Sequence, residues 1–240
     1  MSRQERYRDT YKKLRPDWND SLSIYRDLIA KECGPKTRIL DVGCGHGEFL
    51  RPIYEDMPNT YGIDPDEDAL KKNKLIKHLK VASVEDLPFK DNFFDVVVME
   101  WVVEHLPDPQ AAFGEIHRVL KPNGKVIFVT PNARSYVAWM IRAVPNRFHD
   151  FFTTRLYGRH SGDTYPVQYK ANSPKNLARR VEPIGFQKVQ LIFNGDPSYI
   201  SFNEPLFLIA RALEKLTDIP QLNYSRVHLI GVYQKAARKI

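Results

Sequence analysis

Apolar residues in this chain occur in short runs separated by longer amphipathic stretches. Seven runs have the length and apolar density of buried strands: 39–42, 60–63, 79–82, 93–100, 125–131, 187–194 and 226–235. Between most of them, apolar residues recur every three or four positions, which is the spacing of a helix packed on a core. Alternating strands and helices predict an α/β fold with a seven-stranded, mostly parallel sheet and helices on both faces.

The first strand runs directly into a turn of three alternating glycines, Gly43, Gly45 and Gly47. Glycine lets the chain turn sharply and lets a ligand approach the backbone. A strand, a glycine turn and a helix form the first unit of a nucleotide-binding α/β domain. The spacing differs from the G-x-G-x-x-G of dinucleotide sites, and Glu48 would repel a pyrophosphate at the start of the helix. Glu48 and Asp41 together favour a cationic ligand.

The segment RILDVGCGHGEFL resembles motif I of the class I S-adenosylmethionine-dependent methyltransferases with a type 11-like domain, and LKPNGKVIFVTPN resembles a later signature of that family. The resemblance is dense over residues 38–132. It implies a Rossmann-like sheet whose last strand is antiparallel, with S-adenosyl-L-methionine as cofactor and S-adenosyl-L-homocysteine as product. It also implies a set of cofactor-binding residues: Asp41, Gly43, Cys44, Gly45, Gly47, Asp64, Pro65, Ser83, Val84, Glu85, Glu100 and Trp101.

Two positions in this set have an alternative interpretation. Asp64, at the end of the second strand, can accept hydrogen bonds from both ribose hydroxyls, but it could also cap the following helix. The segment SVEDLPF matches the family's adenine-binding segment, where an Asp usually stands in place of Ser83. The contact to the adenine amino group is therefore expected to be weaker, or to come from Glu85.

The end of the fourth strand borders the expected transfer site. By resemblance, Glu100 and Trp101 face the methionine part of the cofactor. His105 follows and is the candidate general base, because imidazole titrates near neutral pH. The alternative is that His105 and Glu104 pair only to fix the loop.

The segments flanking the matched region are expected to form the acceptor site. Residues 1–37 predict a helical lid before the methyltransferase domain at 38–240, and residues 132–172 an inserted helical and loop cap. The apolar segment SYVAWMIRAV opens this insertion; it is expected to be buried, to line a pocket or to touch a membrane surface. The cap's expected substrate-lining residues are Tyr157, His160, Tyr165 and Tyr169.

A second apolar helix, EPLFLIARALEKL, places Leu206, Ile209, Ala210, Leu213 and Leu216 on one face, which predicts core packing or a dimer contact.

Composition narrows the function classes. The formal charge of +7 comes from basic residues interleaved with acidic ones, which disfavours a nucleic-acid surface. Two cysteines make neither a disulfide framework nor a metal site, and no metal is expected. The first residues lack an apolar leader, and no run approaches the length of a membrane span. A cytoplasmic monomer or homodimer is therefore expected.

The sequence favours a small lipophilic or aromatic acceptor. The alternatives are an RNA methyltransferase, a nucleotide-dependent oxidoreductase and a non-catalytic cofactor-binding accessory protein.

Overall fold

The computed structural model describes residues 1–47, 49–143 and 166–237. Its helices of four or more residues are Arg3–Leu14 (α1), Ser21–Glu32 (α2), Arg51–Tyr54 (α3), Glu67–Lys72 (α4), Pro109–Val119 (α5), Tyr136–Ala143 (α6), Pro174–Val181 (α7) and Glu204–Leu216 (α8). Its strands are Ile39–Val42 (β1), Thr60–Asp64 (β2), His78–Val81 (β3), Phe94–Glu100 (β4), Leu120–Pro131 (β5), Phe186–Asn194 (β6) and His228–Lys235 (β7).

The seven strands form one sheet in the order β3-β2-β1-β4-β5-β7-β6. β7 runs antiparallel to its neighbours β5 and β6, and the other paired strands are parallel, so the predicted topology is confirmed. The order reverses between β1 and β4, where Val42 pairs with Met99. The glycine turn after β1 therefore lies beside Glu100, at the position where open α/β sheets bind ligands.

Helices cover both faces of the sheet, as predicted. On one face, α5 and α7 pack against residues such as Val97 and Phe128. On the other, α2, α3 and α4 cover residues such as Ile39 and Val98. The central strands are buried on both sides, which explains why they appear in the sequence as nearly continuous apolar runs.

The sequence predicts a helix at 48–56, with a kink or a late start because of Pro52, and a second helix at 66–77; both are shorter in the structure. The helix after the glycine turn contains only Arg51–Tyr54, because Pro52 can sit only in a first turn. The helix expected at 66–77 ends at Lys72. The Asn73 side chain stops it by accepting hydrogen bonds from the backbone N–H groups of Leu75 and Ile76.

The N-terminal segment, which the sequence predicts to be a helical lid, contains the two helices α1 and α2. Tyr7 and Tyr11 on α1 are 2% exposed and form a small apolar cluster with Phe207 and Trp18. Tyr7, Tyr11 and Trp18 therefore pack the N-terminal segment against Phe207 of α8.

The face of α8 that is expected to pack on the core or to form a dimer contact is only partly buried. The helix buries Phe207, Ala210 and Glu214, whereas Ile209 and Leu216 are each 52% exposed. Both stripes of the helix are apolar, and periodicity alone cannot tell which of them meets the core.

Candidate cofactor site

All three glycines of the turn after β1 adopt left-handed backbone angles, with φ of 73° at Gly43, 43° at Gly45 and 75° at Gly47. A side chain is strained in this conformation, so the turn requires glycine. At Gly43 an added Cβ would also lie 2.5 Å from Val102 Cγ2. At Gly45 the nearest atom to such a Cβ is Asp64 Oδ2, 4.0 Å away. The backbone of Gly45 therefore faces open space.

Asp64 supports this turn from the end of β2. Its Oδ2 accepts a hydrogen bond from the Gly45 N–H and its Oδ1 accepts one from the Asp66 N–H, both at 2.9 Å. The helix cap considered for Asp64 is instead provided by Asp66, whose carboxylate accepts from the N–H groups of Asp68 and Ala69. Each Asp64 oxygen keeps a second lone pair for another donor.

Two carboxyl groups, Asp41 and Glu100, lie side by side below the turn. Asp41 accepts a 2.7 Å hydrogen bond from the Tyr54 hydroxyl, but burial nevertheless raises its pKa to about 7. Burial, and then the charge of Asp41, raises the pKa of Glu100 to about 8, against the opposing effect of Arg26. Burial also raises the pKa of the Tyr25 hydroxyl near the same two groups. The groups around Asp41 and Glu100 therefore do not offset the effect of burial on either pKa.

A cavity of about 250 Å³ opens onto this pair. It is lined by Asp41, Gly43, Cys44, His46, Gly47, Phe49, Leu50 and Glu100. Arg26 of α2 packs its guanidinium over the Phe49 ring at 4.9 Å, and its buried Nε has no hydrogen-bond partner among the described residues. A donor without an acceptor beside an acidic cavity is suited to a ligand that carries both charges.

Trp101 follows Glu100 with a φ of 55°, a strained conformation for a bulky side chain. Its ring lies edge-on to the His228 ring, with centroids 5.0 Å apart. His228 is buried between Ser21 of the N-terminal segment and Tyr199, with 2.8 Å contacts to both hydroxyls. The N-terminal segment therefore reaches Trp101 through His228.

His105 lies in a short turn, Val103–His105, after β4. Its Nδ1 lies 3.3 Å from the carbonyl oxygen of Pro166, and its Nε2 lies 4.0 Å from a Glu104 carboxylate oxygen. The Tyr169 N–H donates to the Glu104 carbonyl oxygen at 3.1 Å. Two expected residues, His105 and Tyr169, are thus held near one loop, although neither lines the cavity.

The expected adenine segment lies beyond β3. Ser83 is exposed and Val84 is buried. The Glu85 carboxylate accepts a hydrogen bond from the Asp108 N–H at 2.9 Å, so one of its oxygens already anchors the start of α5. Pro65 is exposed at the end of β2.

A larger cavity of about 540 Å³ lies at the amino ends of β2 and β3, the opposite edge of the sheet from Asp64. It includes Tyr61 and three lysines, Lys77, Lys80 and Lys90. Cofactor chemistry in this fold class belongs at the carboxyl ends of the strands, so the smaller acidic cavity is the candidate site.

Known proteins share this arrangement. A family model described as a methyltransferase domain matches residues 40–128, from β1 through the glycine turn into β5. A demethylmenaquinone methyltransferase of Renibacterium salmoninarum is 27% identical over 217 residues, which cover 82% of this chain and 86% of that protein. A methyltransferase structure from Methanosarcina mazei has a TM-score of 0.59. Residues 40–128 of this chain thus form a methyltransferase domain of the class I S-adenosylmethionine-dependent type.

Two relatives of this methyltransferase match it at higher identity over shorter segments. An uncharacterized methyltransferase of Schizosaccharomyces pombe is 40% identical over 105 residues, 37% of this chain and 38% of that protein. An uncharacterized protein of Methanocaldococcus jannaschii is 40% identical over 152 residues, 60% of this chain and 66% of that protein. The chain thus matches less than two thirds of the length of either relative.

Solved structures support the fold of the methyltransferase. The Methanosarcina mazei enzyme is 19% identical, with 88% of this chain and 98% of that chain covered. A geranyl diphosphate C-methyltransferase of Streptomyces coelicolor, solved with Mg²⁺, geranyl diphosphate and S-adenosyl-L-homocysteine, is 12% identical with a TM-score of 0.58, covering 89% and 79% of the two chains. At these identities the likeness is one of fold.

The residues of the methyltransferase site fit its cofactor. S-adenosylmethionine carries a positive sulfonium, an ammonium and a carboxylate. The cavity is lined by the carboxyl groups of Asp41 and Glu100, and the Arg26 guanidinium, with an unpaired Nε–H, packs over the lining residue Phe49. The same carboxyl groups would repel a pyrophosphate. This agrees with the preference for a cationic ligand that was inferred from the sequence around the glycine turn.

Two residues close to the candidate site could not be identified from the sequence. Tyr54 of α3 donates a hydrogen bond to Asp41, and Arg26 of α2 packs over Phe49. Only the tertiary fold brings these two residues to the cavity lining. Conversely, Glu48 and three expected substrate residues, Tyr157, His160 and Tyr165, lie outside the described residues. Their roles stay predictions.

The described part of the chain contains neither a cluster of side chains able to hold a metal ion nor a helix long and apolar enough to cross a bilayer.

Proposed function

We propose that this methyltransferase moves a methyl group from S-adenosylmethionine to a small lipophilic acceptor. The observation that carries the proposal is the acidic cavity of Asp41 and Glu100 at the switch point of the sheet, within the region matched by the methyltransferase model. Two carboxylates next to a bare glycine backbone suit a cationic adenosyl thioether. The cofactor supplies a methyl group on positively charged sulfur, and the protein's task is to align it with the acceptor.

In this proposal each polar group of the cofactor meets one part of the site. Asp64 accepts from the ribose while it holds the Gly45 N–H, and Ser83, Val84 and Glu85 form the adenine end. Glu100 and Asp41 hold the cationic end, beside Trp101.

In the same proposal Tyr169, together with Tyr157, His160 and Tyr165, lines the acceptor site, and His105 is the candidate base. The contact of its Nδ1 with the Pro166 carbonyl would place a proton on Nδ1 and leave Nε2 as the acceptor. A base is needed only when the acceptor carries a proton that must leave.

The proposed class of acceptor rests on how much of this chain aligns with the demethylmenaquinone methyltransferase of Renibacterium salmoninarum. That alignment covers 82% of this chain and so extends beyond the cofactor half. The name of that relative gives demethylmenaquinone, a lipophilic quinone, as the molecule it methylates. The apolar helices α6 and α8 stand where such a molecule would approach, since α6 follows the carboxyl end of β5 and α8 lies between β6 and β7.

Incubation with methyl-labelled S-adenosylmethionine and a lipid extract tests this proposal. We expect label in a product that partitions into organic solvent and gains the mass of one methyl group. Asp64→Ala serves as the matched negative control, because it is expected to lose cofactor affinity. Label transferred to RNA alone would favour the RNA alternative, and cofactor binding without any transfer would favour an accessory protein.

Arg26→Ala is expected to raise the dissociation constant for S-adenosylhomocysteine about tenfold, the effect of losing one charge-assisted hydrogen bond. The guanidinium lies beside Glu100, with its buried Nε in need of an acceptor. Lys31→Ala, which removes an exposed cation from the same helix, is the control and should leave affinity within about twofold. Equal affinities of the two variants, measured by calorimetry, would remove Arg26 from the site.

A further inference from the structure

Exposed apolar side chains are concentrated on one part of this molecule. Of the 14 large apolar side chains exposed in the described ranges, eight lie on α6, α8 and the turn that follows α8. These eight, which we call the apolar face, are Trp139, Met140, Leu208, Ile209, Leu216, Ile219, Leu222 and Tyr224. Scattered exposed apolar residues are ordinary, but a cluster marks an interaction surface.

Polar contacts show that the three segments are neighbours. The Tyr136 hydroxyl of α6 donates a 2.6 Å hydrogen bond to the buried carboxylate of Glu214 on α8. The Asn132 side-chain amide donates to the Tyr224 carbonyl oxygen at 2.7 Å, and the Arg134 guanidinium lies 5.9 Å from the Tyr224 ring centroid. The apolar side chains next to these anchors therefore form one face of the protein.

The outer stripe of α8 is the centre of this face. Leu208, Ile209, Ala212 and Leu216 are exposed at the spacing of one helical stripe, while a second stripe of the same helix packs inward. Leu208 is 59% exposed. A helix that is apolar on both its inner and outer sides is expected to have a partner on each side.

Basic side chains border the apolar face. Arg134, Arg211 and Lys215 lie on the same segments. The exposed acidic residues there are Glu204, at the start of α8, and Asp218, which pairs with both Arg15 at 2.9 Å and Arg226 at 2.7 Å; Glu214 is buried. An apolar and aromatic surface with a basic border is typical of proteins that bind an anionic membrane interface.

The face lies on the edge of the sheet that carries the cofactor site. α6 follows β5, whose last residue, Pro131, pairs with His228 at the start of β7. Asn194, where β6 ends before α8, pairs with the same residue. The carboxyl end of β4, with Glu100, lies on this edge as well. If another surface covered the apolar face, a molecule that left this surface would reach the edge of the sheet at which methyl transfer is proposed.

We propose that the apolar face docks on an anionic lipid bilayer, so that this methyltransferase takes its lipophilic acceptor from the membrane; the acceptor part rests on the proposed function. A second copy of the chain fits the face less well. In a two-fold contact the basic border would be brought toward an identical basic border, whereas anionic headgroups are complementary to it.

Flotation with lipid vesicles tests the docking without any need for turnover. The full chain is expected to float with vesicles that contain about 30% phosphatidylglycerol, to bind pure phosphatidylcholine more weakly, and to be released partly by added salt. The double variant Leu208→Glu/Leu216→Glu should lower the vesicle partition coefficient at least about tenfold, since it places two charges where acyl chains would lie.

Val189→Glu is the matched control. Val189 is 52% exposed on β6, outside the apolar face, so this change should leave partitioning within about twofold. Binding of S-adenosylhomocysteine checks that each variant is folded. Failure of the wild-type protein to bind anionic vesicles, or equal binding by the double variant, would overturn the proposal. So would a dimer that the double variant dissociates while vesicle binding is unchanged.

A further pair of measurements separates this inference from the proposed function. Transfer to a detergent-solubilised lipophilic acceptor, combined with no affinity for vesicles, overturns the docking and leaves the proposed function intact. Vesicle binding that depends on Leu208 and Leu216, with no transfer to any lipophilic acceptor, supports the docking and contradicts the proposed acceptor.

Discussion

Replacing Asp64 with alanine is expected to raise the dissociation constant for S-adenosylhomocysteine about a hundredfold. The carboxylate accepts hydrogen bonds from the N–H groups of Gly45 and Asp66, both at 2.9 Å, and it is the proposed acceptor for the ribose. Hydrogen bonds to a charged group contribute roughly 1.5–3 kcal/mol each, so losing the ribose bonds and loosening the turn together removes about 3 kcal/mol of binding.

Asp66→Ala is the matched control for this prediction. Asp66 lies two residues further on, is exposed, and caps α4 through the N–H groups of Asp68 and Ala69. Its loss should lower the free energy of unfolding by about 1 kcal/mol and leave cofactor affinity within about threefold. Calorimetry that found the two variants equal, with both still folded, would mean that Asp64 acts only as a structural residue of the loop.

The strands of the fold could be predicted because the sheet is buried on both faces. FDVVVME stands out as β4 since nearly every side chain in it faces a helix layer, and the run needs no alternation to be recognised. The glycine turn was equally visible, because only glycine tolerates three left-handed backbone angles in five residues. Both signals depend only on neighbouring residues, so a single sequence is enough to recognise them.

The polar environment of the site could not be predicted in the same way. Tyr54 donates to Asp41 from a four-residue helix whose start is set by Pro52, and Asn73 holds the Gly45 carbonyl oxygen from beyond α4. Neither residue has a distinctive neighbour in the sequence. Contacts of this kind depend on how the loops return across the sheet edge, which residue patterns do not encode.

The apolar helices show a related limit. The pattern in EPLFLIARALEKL identified an amphipathic helix with Ile209 and Leu216 on the face expected to pack on the core or on a second copy, whereas the residues that the structure buries are Phe207, Ala210 and Glu214. The burial of the Glu214 carboxylate cannot be predicted from the sequence, because it depends on a hydrogen bond from one distant partner, the Tyr136 hydroxyl. Ile209 and Leu216 instead lie at the centre of the apolar face.

The affinity for S-adenosylmethionine is expected to increase with pH, with the dissociation constant falling at least about tenfold between about pH 5.5 and pH 7.5. Burial raises the pKa of Asp41 to about 7 and that of Glu100 to about 8 in the cofactor-free protein. A cationic ligand favours their ionised forms, so binding below these values must release protons. Raising the pH removes that cost until both groups are ionised.

Asp41→Asn and Glu100→Gln should each flatten this profile, because each removes one of the two titrating groups. Proton release can be measured directly by calorimetry in two buffers with different ionisation enthalpies. Glu214→Gln is the matched control: burial raises the pKa of Glu214 to about 7 as well, but its partner is Tyr136 and it does not line the cavity. The slope of affinity against pH should be unchanged in that variant.

The same carboxyl groups determine the sign of a stability effect. In the cofactor-free protein the folded state keeps Asp41 and Glu100 protonated at a pH where the unfolded chain has lost both protons. Their contribution to the free energy of unfolding therefore falls as pH rises from about 4 to 8. A cationic cofactor compensates the ionised pair, so the increase in melting temperature on binding should be larger at about pH 8 than at about pH 5.5. An equal increase at both values would mean that this pair does not hold the cofactor's positive charge, and the electrostatic match on which the site depends would fail.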